Sequence, residues 1–95
     1  MKEKENLLWF KTNFQPLLKE YDVKSRFYEE GDFGSLDQIE FNSPDKGGNL
    51  DLWGTGWIGI FLYDYKREIE IINVLLKPDQ IQEQKELLNR LKSLL

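Results

Sequence analysis

At 95 residues, 40% of them hydrophobic and 32% charged, the chain can bury one hydrophobic core but not two, so residues 1–95 read as a single folded domain rather than a disordered segment. It contains no cysteine and no histidine, which excludes disulfides, zinc–cysteine sites and thiol chemistry and removes the commonest general base and transition-metal ligand. The formal net charge of −4 is concentrated in the middle, with residues 1–28, 29–65 and 66–95 carrying +2, −7 and +1, a distribution that suits a basic protein partner better than nucleic acid or an anionic membrane.

Leu7, Phe10, Phe14, Leu17 and Tyr21 follow the three-and-four spacing of a helix face. Pro16 interrupts that pattern because it cannot donate to the Thr12 carbonyl, so a break near residues 13–15 is expected, with Pro16 opening a second short helix. Residues 22–30 fit an irregular strand or a connection. A turn-rich loop follows at Gly31-Asp32-Phe33-Gly34-Ser35. Residues 36–42 then alternate, with Ile39 and Phe41 on one face and Gln38 and Glu40 on the other, which predicts a strand.

Ser43-Pro44-Asp45-Lys46-Gly47-Gly48 is a turn. Beyond it, Gly54-Thr55-Gly56 separates two β-prone runs in the manner of a hairpin. If Trp53 faces Trp57, Asp51 lies opposite Gly59, Asn49 opposite Phe61, Leu52 opposite Ile58 and Leu50 opposite Ile60. A further strand over residues 68–76, symmetric about a turn at Tyr65-Lys66, puts Leu62 beside Ile69, Ile60 beside Ile71, Tyr63 beside Glu68 and Phe61 beside Glu70. Lys77-Pro78-Asp79 ends the sheet. Ile81, Leu87, Leu88, Leu91, Leu94 and Leu95 form the apolar stripe of a C-terminal helix whose acids come early and whose Arg90 and Lys92 come late, as the helix dipole favours. The expected fold is α+β: an antiparallel meander of four strands, or five, flanked by an N-terminal and a C-terminal helix. No apolar run approaches the roughly 20 residues of a membrane span, and the N-terminus is too short in apolar residues for a signal peptide. A cytoplasmic protein is expected.

This pairing gives one wholly apolar sheet face and one mixed face, on which Gln38, Glu40, Asn49, Asp51, Trp53, Trp57, Phe61, Tyr63, Glu68 and Glu70 appear, with Ile72 and Val74 beyond them. Two arrangements satisfy the pattern. A helix on each face makes the aromatics a second core layer, whereas both helices on the apolar face leave the mixed face open, with a notch at Gly59 between Trp57 and Phe61. An open face of this kind makes either a partner interface or a homodimer.

No catalytic constellation accompanies these patterns. Asp32-Phe33-Gly34 spells the magnesium-binding tripeptide of protein kinases but lacks that fold's other motifs and its length. Asp45, Asn49 and Asp51 do not keep the EF-hand spacing, the acidic set around them reads as a solvated surface, and a meander of this size offers little room for a sugar cleft between Glu40 and Asp51. The expectation is a non-enzymatic protein without cofactor or metal, binding a basic protein through Glu29, Glu30, Asp32, Asp37, Glu40, Asp45, Asp51, Trp53, Trp57, Phe61 and Tyr63.

The runs Gly31-Asp32-Phe33-Gly34-Ser35-Leu36, Ile39-Glu40-Phe41, Lys46-Gly47-Gly48, Asp51-Leu52-Trp53, Gly56-Trp57-Ile58-Gly59-Ile60 and Asn73-Val74-Leu75-Leu76 resemble those of small bacterial immunity proteins encoded beside contact-dependent growth inhibition toxins. The resemblance spans about the middle half of the chain and rests on structural glycines, aromatics and strand residues. It implies a cytoplasmic protein that binds and blocks one cognate toxin domain, often a nuclease. It transfers no functional residue, because toxin-contacting positions vary with the toxin. The alternative class is a small structural or regulatory module that self-associates through the mixed face.

Overall fold

The computed structural model describes the backbone of residues 3–31 and 33–95 and the side chains of residues 8–30 and 33–95. A helix, Glu3–Asn13 (α1), leads through a 3-10 turn at Gln15–Leu17 into five strands: Asp22–Gly31 (β1), Gly34–Asn42 (β2), Lys46–Trp53 (β3), Ile58–Asp64 (β4) and Ile69–Leu76 (β5). A C-terminal helix, Ile81–Leu94 (α2), follows. The strands pair antiparallel in sequence order, so the fold is the expected α+β meander with five strands. The segment that read as either strand or connection is β1, a full edge strand whose register slips between Tyr28 and Gly31.

The first helix ends where Pro16 requires. Pro16 lies in the 3-10 turn, where Leu17 and Leu18 donate to the Phe14 and Gln15 carbonyls at 2.8 and 3.0 Å. The tighter turn shifts the buried stripe by one residue: Phe10, Phe14 and Leu18 are buried, while the expected Leu17 is 43% exposed. The Leu7 side chain lies outside the described ones.

Both helices pack on the same side of the sheet. Phe10, Phe14 and Leu18 from the N-terminal segment and Leu91 from α2 form one cluster with Ile39, Phe41, Leu50, Leu52, Ile58, Ile60, Leu62 and Ile72. Leu87, Leu88, Leu94 and Leu95 pack at its margin, as predicted, but Ile81 opens α2 beyond the sheet and is 61% exposed. Polar ties hold the helix in place. Lys46 Nζ donates to the Leu94 carbonyl at 2.7 Å, and Gln84 Nε2 donates to the carbonyls of Gly56 and Lys77 at 3.0 and 2.8 Å. Lys92 Nζ sits 5.4 Å from the centre of the Phe14 ring, joining α2 to the end of the first helix.

The β3–β4 register is the expected one, with Asp51 opposite Gly59, Asn49 opposite Phe61, Leu52 opposite Ile58 and Leu50 opposite Ile60. The β4–β5 register is not. Leu62 pairs with Ile72, Ile60 with Val74, Phe61 with Asn73 and Tyr63 with Glu70. The cause is a turn of residues 65–68 in place of the two-residue reversal: Asp64 Oδ1 accepts from the Lys66 and Arg67 amides at 3.0 Å each, Oδ2 accepts from Arg67 Nε at 3.0 Å, and Glu68 takes φ +56°. A register shift between Leu62 and Tyr63 then makes Ile71 an extra residue and reverses the facing of the remainder of β5. Ile72 and Val74, expected on the mixed face, therefore lie on the helix side, Ile69 is exposed at the turn, and Glu68 belongs to the turn itself.

The core assignment makes a contrast measurable. Leu91→Ala, which leaves a cavity beneath both helices, is expected to cost about 2–5 kcal/mol in urea denaturation, whereas Ile81→Ala at the exposed start of α2 should change stability by no more than ~0.5 kcal/mol.

Candidate functional site: the helix-free sheet face

With both helices on one side, the other side of the sheet carries no covering element among the described residues. Antiparallel registers arrange its side chains in rows across the strands. Tyr28, Leu36 and Trp53 form the first row; Arg26, Gln38, Asp51, Gly59 and Leu75 the second. Lys24, Glu40, Asn49, Phe61 and Asn73 form the third, and Asp22, Asn42, Gly47, Tyr63 and Glu70 the fourth.

The aromatics on this face cover one another. Phe33, at the β1–β2 reversal, stacks on Trp57 with ring centres 3.9 Å apart and planes 7° from parallel, and meets Trp53 edge-on at 5.4 Å. Its loop is held to the β3–β4 turn by the Thr55 hydroxyl, which donates to the Phe33 carbonyl. Trp53 is thereby buried, and its indole N–H finds no acceptor among the described residues. At the other end Phe61 stacks on Tyr63 at 6.4 Å, and Tyr63 tilts against Tyr65 at 5.7 Å. The Tyr65 hydroxyl reaches over Gly47 to donate to Asn42 Oδ1, so a side chain at Gly47 would collide with it.

Between the two groups the face sinks. Gly59 has no side chain where its neighbours in the row have one, and a depression of about 230 Å³ lies there, lined by Asn49, Asp51, Trp53, Gly59, Phe61, Asn73 and Leu75 among others. A notch over Gly59 is expected from the spacing of Trp57, Gly59 and Phe61; Phe61 borders this one, but Trp53 lines it in place of Trp57. Asn49 Nδ2 donates to Asp51 Oδ1 at 3.2 Å. Burial pushes the Asp51 carboxyl above its ordinary range; hydrogen bonds from Gln38 and Asn49 oppose that shift and the charge of Glu40 adds to it.

The acidic residues expected at the interface do not form one surface. Asp37 is buried on the helix side opposite Leu52, because alternate residues of a strand face opposite ways. Glu40 reaches the open face but is bound to Arg26 at 2.9 Å, and Asp45, in the β2–β3 turn, is bound to Lys66 at 3.1 Å. Glu29 and Glu30 are exposed on β1 at its register slip, and Asp32 lies outside the described residues. Asp51, Trp53, Trp57, Phe61 and Tyr63 do come together on the open face, Trp53 as a buried support and the others half-buried. Sequence reasoning passed over Phe33, Tyr65, Asn73 and Leu75. It also passed over Lys24 and Arg26, which β1 brings opposite Glu40 and Gln38 and which temper the acidity of this face. The alternation of Lys24, Arg26 and Tyr28 against Val23, Ser25 and Phe27 was the available signal for them.

Among the described residues no three metal-ligating side chains converge on a cation-sized site, and no helix is long and apolar enough to cross a membrane. The chain matches no family model, no curated protein and no solved structure.

Two carboxylates with opposite shifts give opposite pH effects. Asp51 has its folded pKa raised, so the ionised form opposes folding, and stability is regained as pH falls through the folded value toward the unfolded one near ~3.9. Asp51→Asn should therefore raise the melting temperature at pH 7, and its advantage should shrink in acid. Asp64 is held below the ordinary range, chiefly by the Arg67 backbone amide, so its contribution is complete above the unfolded pKa and disappears as pH falls through the folded one. Asp64→Asn should lower the melting temperature at pH 7, and that deficit should close at low pH.

Proposed function

We propose that this protein is a cytoplasmic immunity protein that binds one cognate toxin domain, a basic one such as a nuclease, and neutralises it by stoichiometric occlusion without chemistry of its own. The observation that carries the reading is the helix-free face: an aromatic and carboxylate-bearing surface, centred on Trp57, Phe61, Tyr63 and Asp51, left open while both helices cover the opposite side. Aromatic side chains of limited rotamer freedom surrounded by polar groups are what interface anchors are made of. Net charge of −4 favours encounter with a basic partner. The likeness of the sequence to immunity proteins gives the reading its biological class.

A second reading, self-association, is favoured by the β5 edge, an outer strand with unpaired backbone on which Ile69 near the turn, Val74 on the helix side and Leu75 on the open face are each exposed. Sedimentation at graded concentration distinguishes them. A monomer across the range supports toxin binding, whereas a tight dimer lost on Leu75→Glu supports the module.

The functional test takes the reading frame upstream of this gene, which on this reading should end in a basic toxin-like domain, and uses that domain as the partner. Co-expression should rescue growth and the two proteins should purify as a one-to-one complex. Trp57→Ala should weaken the complex at least tenfold, about 1.4 kcal/mol or more. Glu29→Gln combined with Glu40→Gln should slow association and flatten its salt dependence. Absence of a complex with that domain rejects the reading.

A further inference from the structure

We propose that the notch over Gly59 is a socket for one arginine side chain of the protein's partner, an assignment that rests on the open face being the binding face.

The shape comes first. Gly59 is buried and forms the floor, and a Cβ placed on it would lie 3.4 Å from the Trp53 ring and 3.6 Å from Asp51 Oδ2. The ring and the carboxylate therefore stand at the base of the depression. Phe61 and Leu75 form the walls, Leu75 being 49% exposed. A flat, weakly hydrated cation fits such a place, because it can lie against an aromatic ring while it hydrogen-bonds at its edge.

The polar rim asks for donors. Asn49 directs its amide nitrogen to Asp51 Oδ1 at 3.2 Å, and Asn73 directs its own to Glu70 Oε1 at 2.8 Å. Each asparagine thus uses one N–H of its amide within the protein and leaves its carbonyl oxygen to offer, while the Asp51 carboxylate accepts from Gln38 and Asn49 and keeps lone pairs for further donors. Guanidinium carries five N–H donors and no acceptor, so it can serve several of these oxygens together. A neutral amide or hydroxyl ligand brings fewer donors and no positive charge to set against Asp51.

The charge is also uncompensated. Among the described residues no lysine or arginine lies within 4 Å of Asp51, and Arg26, in the same row, is held by Glu40. Asp51 is partly desolvated and lies near the second negative charge of Glu40. A cation entering the notch would relieve both effects. Lysine meets the charge, but its compact and strongly hydrated ammonium lacks the planar face and the spread of donors that this site presents.

The test is a nuclear magnetic resonance titration of the whole chain with the blocked tripeptide Gly-Arg-Gly, alongside the matching lysine and citrulline peptides. The arginine peptide should move the Gly59 backbone amide and the Asn49 and Asn73 side-chain amides with a millimolar dissociation constant. The uncharged citrulline peptide should bind at least tenfold more weakly, and the lysine peptide several-fold more weakly. Asp51→Asn and Gly59→Val should each weaken arginine binding at least tenfold, with the remaining spectrum showing that the fold persists. Shifts absent from these amides, an equal response to citrulline or lysine, or unchanged binding in Asp51→Asn would overturn the socket. If the tripeptide fails while Trp57→Ala still weakens the toxin-domain complex, only the socket falls. If that complex is also indifferent to Trp57→Ala, the open face falls as the binding surface.

Discussion

The amide of Trp53 donates to the carbonyl of Trp57 at 3.1 Å across Gly54-Thr55-Gly56, and this closure sets the facing of every residue on the two central strands. Gly56 makes it feasible by taking φ +102°, a backbone state that a side chain would penalise. Because side chains alternate, a slip of one residue would send Leu50, Leu52, Ile58, Ile60 and Leu62 to solvent and Asp51 and Phe61 beneath the helices. Burial of the apolar set against Phe14 and Leu91 is therefore also what presents Asp51, Gly59, Phe61 and Tyr63 on the other side. The core and the open face are two consequences of one register.

The same logic explains which parts of the fold are legible in the residues and which are not. In β3 and β4 the apolar alternation, the glycine-bearing turn and the strand pairing all agree, so each cross-strand partner can be read in advance. At the next reversal they diverge. The four-residue turn exists because Asp64 accepts from the Lys66 and Arg67 amides, and the bulge at Ile71 then restores Ile72 and Leu76 to the core. The run Ile-Glu-Ile-Ile-Asn-Val-Leu-Leu is apolar in both phases, and only tertiary burial selects between them. The first helix fails more narrowly: Leu17 and Leu18 are equivalent in chemistry, and the 3-10 geometry around Pro16 decides in favour of Leu18.

Charge is where a reading along the chain departs most from the folded surface. Residues 29–65 are strongly acidic in sequence, yet the fold distributes the described carboxylates among them over the helix side, two turns, an edge strand and the open face. Some serve structure. Asp64 organises a reversal, and Asp45 and Glu40 are joined to Lys66 and Arg26 by ion pairs that are exposed and so individually weak. The long-range field still belongs to the whole chain and survives this dispersal, since encounter depends on summed charge at distances near the Debye length rather than on local pairing. On the proposed reading, local recognition at the open face would rest more on Asp51 than on the acidic run as a whole.

An open sheet face with few covering groups must hold its aromatics without a second layer. Here they hold one another, Phe33 on Trp57 and Trp53 at one end, Phe61, Tyr63 and Tyr65 at the other, with Gly59 leaving the space between. Rings held by mutual stacking and by strand backbone have little rotamer freedom left to lose when a partner docks, so more of the contact energy is expressed as affinity. The cost is borne in the unbound state, where apolar ring surface and the partly desolvated Asp51 remain in contact with water. A sequence shaped for stability alone would replace Asp51 with a neutral residue and fill the space above Gly59. The combination of a raised carboxyl, a missing side chain and a pre-stacked aromatic border is what the proposed reading accounts for, since a partner that fills the space and meets the charge would lower the free energy of all three.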